Sequence, residues 1–413
     1  MRILVVSQYF WPENFRINDV VAGLIERGHE VTVLTGQPNY PGGRFFAGYG
    51  WFKRTRERHL GAEIIRIPLL SRGAGGSVRL ALNYLSFAAF GSLLGPLRVK
   101  EPHDVIFVFA PSPITVCLPA ILIKQVRKIP LVLWVQDLWP ESLSATGALR
   151  TPWILRGVAQ LVRAIYRRCD RILVQSRSFF PSIEALGQPT EKILYFPNSA
   201  EPLYRPMELT ADAPERDLMP DGFRVMFAGN IGAAQDFETI LAAAARLKGH
   251  ADIHWVIIGD GRQRSWVEEQ VNARGLTGTV HLLGRHPVEA MPRFFSLADA
   301  MLVTLKRDPI FASTIPAKMQ SYLACGRPVI GALDGEGAQT VRDAGAGLVA
   351  PSEDPDALAQ AVLSMRSFPA SERALMGARG LEYFKANFER EMLLDRLEGW
   401  MHVLIEQERL CAS

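Results

Sequence analysis

Apolar and polar positions along the chain alternate in two successive series of short apolar runs and amphipathic stretches. Arg2 to Ser7, Glu30 to Thr35, Val105 to Phe109 and Pro130 to Val135 are apolar at successive rather than alternate positions. That pattern predicts strands buried on both faces of a parallel sheet. Ile17 to Arg27, closed by Gly28-His29, reads as the helix joining the first two, a βαβ opening. Trp153 to Cys169 is amphipathic with a basic face (Arg156, Arg163, Arg167, Arg168), and the strand Asp170 to Ser176 follows it. A second series begins at Phe223 to Ala228 and continues through His254 to Gly259, Val280 to Leu283, a helix over Ala317 to Ala324 stopped by Gly326, and Pro328 to Ile330. Leu381 to Gln407 reads as one or two helices.

The break between the series is Glu201 to Asp221, rich in proline and charge, the composition of an interdomain linker. A chain of 413 residues is too long for one ordinary core. The predicted division is residues 1–200, a linker 201–221, a second domain 222–384 and a terminal segment 385–413. Composition is that of a soluble globular protein, 48% hydrophobic and 21% charged. Cys117, Cys169, Cys325 and Cys411 form no C-x-x-C pair, so neither a zinc site nor a disulfide framework is indicated, and reduced thiols in a cytoplasmic setting fit. The apolar N-terminus runs straight into Trp11-Pro12-Glu13 and is expected to be a first strand, not a signal peptide.

Charge is unevenly placed. Between Arg44 and Lys100 stand ten basic residues and only Glu57 and Glu63 as acids, in a chain whose formal net charge is +4. Within that region Leu80 to Leu97 is apolar on nearly all sides, broken by Gly91, Gly95 and Pro96 and carrying Asn83, Ser86 and Ser92. It falls short of the roughly 20 apolar residues of a bilayer span. A buried core helix, a spanning helix and an interfacial helix are three readings of segment 78–99. Flanking arginines (Arg72, Arg79, Arg98) and Trp51-Phe52-Lys53-Arg54 upstream favour the interfacial one, peripheral on the inner face of the cytoplasmic membrane. No nucleic-acid-binding motif accompanies the patch, and no nucleic acid is expected as partner.

The candidate chemistry centres on Asp308 to Ile330. Ser313 and Thr314 precede Pro316, a favourable first helical residue, and Lys318 lies in the first turn. A helix start of this kind, with free N–H groups, its positive dipole end and a lysine, suits a phosphate; an ordinary capped helix with a solvated lysine is the alternative. The loop after the first strand, Gln8 to Asn14, lacks G-x-G-x-x-G, which argues against a nicotinamide dehydrogenase. Glu13, Arg16, Asn18 and Asp19 supply polar groups there, with helix capping by Asn14 or Asn18 as the plainer role. Asp137, just past the end of an apolar strand, stands where α/β active sites are built, or else caps the next helix.

Ala324-Cys325-Gly326-Arg327-Pro328-Val329-Ile330, with the short helix before it, resembles the nucleotide-sugar-binding segment of the family 4 retaining glycosyltransferases. Ile315-Pro316-Ala317-Lys318 is similar to the branch making colanic acid and O-antigen repeat units, including N-acetyl-fucosamine transferases. The resemblance implies an α/β GT-B fold: two Rossmann-like domains with parallel sheets facing a central cleft, and a C-terminal helix crossing back to the first domain. It implies a hexosyltransferase-type enzyme that retains anomeric configuration, with a nucleotide-sugar donor such as a UDP-sugar. A lipid-linked or saccharide acceptor in O-antigen, capsule or exopolysaccharide biosynthesis follows from it, and no cofactor or metal is expected. Carried over residue by residue, it assigns Asp137, Lys318 and Glu13 to catalysis. Gly229, Asn230, Gln235, Arg262, Arg285, Ser313, Thr314, Ile315, Lys318 and Ser321 fall to donor binding.

Three departures stand out. The family's His-Asp pair is Gln136-Asp137; its arginine and lysine after the first glycine of the second domain are Asn230 and Gln235; and its Glu-x7-Glu falls on Ser313 and Ser321. Gln320 or Ser321 is then expected to serve the ribose, and Lys306, Arg307 and Lys318 to restore the lost charge. A non-catalytic partner of the same fold and a nucleotide-sugar epimerase are the alternatives, separated by nucleotide release and by product analysis.

Overall fold

The computed structural model describes residues 1–73, 76–145 and 151–412. Two compact units emerge, one from Met1–Pro197 with Leu393–Ser413, the other from Asn198–Met392. The first unit is an eight-stranded sheet in the order β3-β4-β2-β1-β5-β6-β7-β8. Its strands are β1 Arg2–Val6, β2 Glu30–Gly36, β3 Arg56–His59, β4 Ala62–Ile67, β5 Val105–Ala110, β6 Leu131–Val135, β7 Arg171–Val174 and β8 Ile193–Tyr195. All neighbours are parallel except the β3–β4 hairpin at the edge. That hairpin turns through Leu60 and Gly61, both at positive φ, as a two-residue connection matched to strand twist requires.

The second unit is a six-stranded, all-parallel sheet in the order β11-β10-β9-β12-β13-β14. Here β9 is Phe223–Ala228, β10 Ile253–Ile258, β11 Val280–Gly284, β12 Ala300–Thr304, β13 Val329–Ala332 and β14 Gly347–Ala350. Two apolar clusters flank this sheet, one built on Met226, Val256, Tyr322 and Leu323, the other on Phe227, Trp255, Ile257 and Leu302. Burial on both faces explains why β5, β6 and β10 carry no polar alternation.

Segment 201–221 lies in the second unit, where Glu215 holds Arg293 through a two-bond ion pair at 2.7 and 2.9 Å. The end of the chain forms two helices, Ala370–Asn387 in the second unit and Arg390–Ala412, which from Leu393 onward belongs to the first. Arg27 pins the latter, Nη1 donating to Asp395 at 2.6 Å and Glu398 at 3.1 Å, and the His29 ring meets Glu398 at 2.8 Å. Cys117, Cys169 and Cys325 are buried and unbridged; the Cys411 side chain lies outside those described.

Candidate active site

In open parallel sheets, ligands bind past the carboxyl ends of the strands where strand order reverses. In the second unit that point lies between β9 and β12. The turns leaving β9 and β10 are stacked: Gly229 N donates to Ile258 O (2.9 Å), Gly259 N to Gly284 O (2.8 Å) and Ile231 N to Asp260 O (2.8 Å). A Cβ on Gly259 would stand 1.9 Å from the Gly229 carbonyl oxygen, so only glycine allows this approach. On the β12 side the Thr304 hydroxyl donates to Gln235 O and Lys306 N donates to Ala234 O (3.0 Å). The result is a backbone shelf anchored on four strands, β9 to β12.

The helix Ala317–Ala324 meets this shelf through Lys318 and Tyr322, four residues apart and therefore on one face. The Tyr322 hydroxyl accepts from Ala228 N (2.9 Å) and donates to Ala228 O (3.0 Å), while its ring stands edge-on to Phe295 with centroids 5.2 Å apart. These contacts fix the helix against the end of β9. One turn earlier, Lys318 Nζ lies 3.6 Å from the centre of the Phe227 ring, beside Gly229. A buried ammonium over an aromatic face gains cation–π attraction, yet this one has no hydrogen-bond partner among the described residues. Burial depresses its pKa to about 7. An amine so placed lacks only an anion.

Several expected roles change. The helix begins at Ala317, with Pro316 as its N-cap, after a separate turn Pro309–Ala312. Ser313 and Thr314 do not cap it, because their hydroxyls donate back to Ile310 O (2.8 Å) and Phe311 O (3.2 Å). Ile315 and Ser321 are buried. Gln320 is buried too, its amide within reach of the Pro316 and Ala317 carbonyls of its own helix. Lys318 is not a solvated lysine. Gly229 lies beside Lys318, and Asn230 and Gln235 gather around Gly232: a Cβ there would meet Asn230 Nδ2 at 2.5 Å and Gln235 Oε1 at 3.1 Å. Arg262 and Arg285 are exposed on the loops after β10 and β11. Arg307 is committed to Ser352 O (2.8 Å), and Lys306 is exposed. The sequence's one Asp-x-Asp, Asp354-Pro355-Asp356, starts a helix: Asp354 accepts from Ala357 N (2.9 Å) and Asp356 pairs with Arg246.

In the first unit strand order reverses between β1 and β5. Glu13, in the loop after β1, is buried, and its Oε1 accepts from Asn39 N (2.8 Å) and Tyr40 N (2.7 Å). Burial pushes its pKa up to about 7 despite those bonds. Through Oε1, Glu13 therefore ties the 37–43 loop to the loop after β1. Asn18 donates to Glu13 O (2.8 Å) instead of capping, since Phe15 is the N-cap of Arg16–Glu26.

Asp137 follows β6, ahead of the Glu141–Ala145 helix, and desolvation raises its carboxyl to about 6. Tyr84 feels the Asp137 charge and meets the Tyr9 and Ser112 hydroxyls. Trp139 Nε1 donates to Ser112 Oγ (3.3 Å), and the Arg72 guanidinium lies over Tyr9 and Tyr40 at 5.9 and 5.0 Å. Aromatic faces, a carboxyl and a guanidinium thus gather past the carboxyl ends of the central strands, a set of groups suited to saccharide hydroxyls. Sequence reading missed Phe227, Tyr322 and Tyr84, and named Arg72 only as a flank of the apolar run, whereas its guanidinium lies over Tyr9 and Tyr40. Of these only Tyr322 carried a signal, its four-residue spacing from Lys318.

Comparison with known proteins agrees with this geometry. Residues 14–199 match the glycosyl transferase 4-like domain, and residues 222–367 match the glycosyl transferases group 1 model. The chain is 28% identical over 341 residues to the putative colanic acid biosynthesis glycosyl transferase WcaI of Escherichia coli, covering 79% of this chain and 82% of that protein. It is 25% identical over 393 residues to the 2-deoxystreptamine N-acetyl-D-glucosaminyltransferase of Streptomyces fradiae, covering 87% of each. Among solved structures, Anabaena HepE in complex with UDP superposes with a TM-score of 0.70 at 14% identity over 98% of this chain and 100% of that one. Sucrose-phosphate synthase of Thermosynechococcus elongatus gives 0.71 at 17%, over all of both chains. The two matched domains and the two parallel sheets together place the chain in the family 4, group 1 glycosyltransferases of the GT-B fold.

Proposed function

We propose that this glycosyltransferase moves a sugar from a UDP-sugar to a lipid-linked saccharide acceptor, with retained anomeric configuration and no divalent metal, in the assembly of a surface polysaccharide. The relatives' names support the product class: one is a putative colanic acid enzyme and another, TuaH of Bacillus subtilis, a putative teichuronic acid enzyme. The choice of UDP is supported by the HepE structures with UDP and UDP-glucose.

The observation that carries the reading is Lys318, a buried amine beside Gly229 with no hydrogen-bond partner among the described residues. As the bond from the anomeric carbon to the β-phosphate breaks, negative charge grows on the departing diphosphate. Lys318, together with the backbone N–H groups at the start of its helix, is suited to take that charge, filling the role that the family gives to cations at positions 230 and 235. Asp137 and its aromatic neighbours serve the saccharide.

A thermal-shift panel of UDP, GDP, dTDP and CMP tests the donor assignment. At 100 times its dissociation constant a ligand stabilises by roughly 2.7 kcal/mol, and UDP is expected to give the largest shift. A larger shift with another nucleotide would replace UDP in the scheme.

A further inference from the structure

The Ser77–Arg98 helix is long enough, at about 33 Å for 22 residues, to cross a bilayer. Its packing shows that it does something else. Asn83, Ser86, Phe87, Ala88, Gly91 and Gly95 are buried against the first unit. Asn83 accepts from Gln8 Nε2 (2.8 Å) and donates to Leu70 O (2.6 Å), and Ser86 Oγ accepts from Leu70 N (2.9 Å). Inserting the helix across a membrane would strip these polar groups of their partners.

The opposite side is bare. Val78, Leu82, Leu85, Ala89, Leu93 and Leu97, spaced three or four apart, form one exposed apolar stripe, with Leu93 67% and Leu97 66% exposed. Trp51 extends it by standing edge-on to Phe90 of the same helix, ring centroids 5.8 Å apart, and the adjoining Phe52 is 76% exposed. Cations border this surface. Lys53 and Arg54 follow Phe52 and are exposed. At the helix's far end Arg56 donates to Arg98 O (2.6 Å) and Arg127 to Val99 O (2.7 Å), with Lys100 exposed beside them. The two acids of the stretch are already matched, Glu57 by Arg66 and Glu63 by Arg56.

We propose that this face docks on an anionic lipid bilayer, with the helix lying along the membrane, its stripe and Phe52 among the acyl chains and the cations at the headgroups. Charge complementarity selects this occupant: an apolar strip rimmed by cations, with its acids neutralised internally, matches an interface of apolar core and negative surface. A second copy of the chain would instead bring like charges together. The inference is independent of the donor reading, because a chain that binds vesicles but transfers no sugar would leave it standing.

Flotation of the full chain tests it, with phosphatidylcholine vesicles, the same vesicles containing phosphatidylglycerol, and the latter at raised salt. The chain should float with the anionic vesicles, and raised salt should release most of it. Leu85→Ser/Leu93→Ser should lower partitioning about tenfold or more, as should Lys53→Glu/Arg54→Glu. Phe52→Ser, at a site outside the core, does the same without endangering the fold, and an unchanged thermal-unfolding midpoint certifies each variant. No flotation of the folded chain would overturn the proposal. So would equal binding to neutral and anionic vesicles, unchanged binding of the variants, or lipid-free dimers broken by the same substitutions.

Discussion

Replacing Lys318 by methionine isolates the most unusual group in the second unit. The amine has a pKa near 7 against an ordinary 10.5. At about 1.4 kcal/mol per pKa unit this sets a ceiling of roughly 5 kcal/mol on the cost of keeping it buried at neutral pH. Between pH 7 and 10.5 the unfolded chain holds this proton and the folded chain does not, so stability rises with pH across that window. Lys318→Met should therefore be more stable than the parent at pH 7, and the advantage should shrink towards pH 10. Binding moves oppositely. A diphosphate supplies the missing partner, and a charge-assisted hydrogen bond of roughly 1.5 to 3 kcal/mol implies a loss of about ten- to a hundredfold in UDP affinity, with little change for uridine. Because the anion restores the amine's pKa, UDP binding at pH 8 should take up close to one proton, which calorimetry in buffers of different ionisation enthalpy measures directly. Above pH 7 UDP affinity should weaken with rising pH. A folded Lys318→Met chain with unchanged UDP affinity and the same proton uptake would refute the reasoning.

Other consequences are more local. Tyr322→Phe removes the hydroxyl that both accepts from and donates to Ala228, and should cost about 1 to 2 kcal/mol in stability by thermal unfolding while weakening UDP binding through a displaced Lys318. Glu13→Ala leaves Asn39 N and Tyr40 N without their acceptor and should destabilise by about 2 to 3 kcal/mol. Since the folded Glu13 pKa of about 7 lies above its ordinary 4.5, the parent should lose stability as pH rises from 4.5 through 7, and Glu13→Gln should flatten that slope in chemical denaturation. If the carboxylate form of Asp137 is the active one, turnover should rise with pH through about 6, and Asp137→Asn should remove that limb of the rate profile. Sugar transfer should survive excess EDTA; activity that vanishes and returns with magnesium would end the metal-free scheme.

The parallel strands were legible because β1, β5, β6, β9 and β10 are nearly continuous apolar runs, a direct imprint of burial on both faces. The helix at Ala317 was legible from Pro316 before it and Gly326 after it. What stayed hidden depends on contacts distant in sequence. No local pattern tells a solvated lysine from one laid over Phe227, and propensity does not reveal that Ser313 and Thr314 bond backward into the preceding turn. Glu13 teaches the same lesson: nothing near it in sequence shows that the Asn39 and Tyr40 amides of the next loop donate to its carboxylate. Segment 78–99 admitted three readings until the burial of Asn83 and Ser86 showed which side faces protein.

The measurement bearing most directly on the whole account is magnetic resonance of the product formed from a UDP-α-sugar and a lipid-linked acceptor in the presence of EDTA, with released UDP counted alongside. A new α-glycosidic bond and one UDP per bond are the predicted result. A β-linked product, or sugar that is altered but remains on its nucleotide, would contradict it.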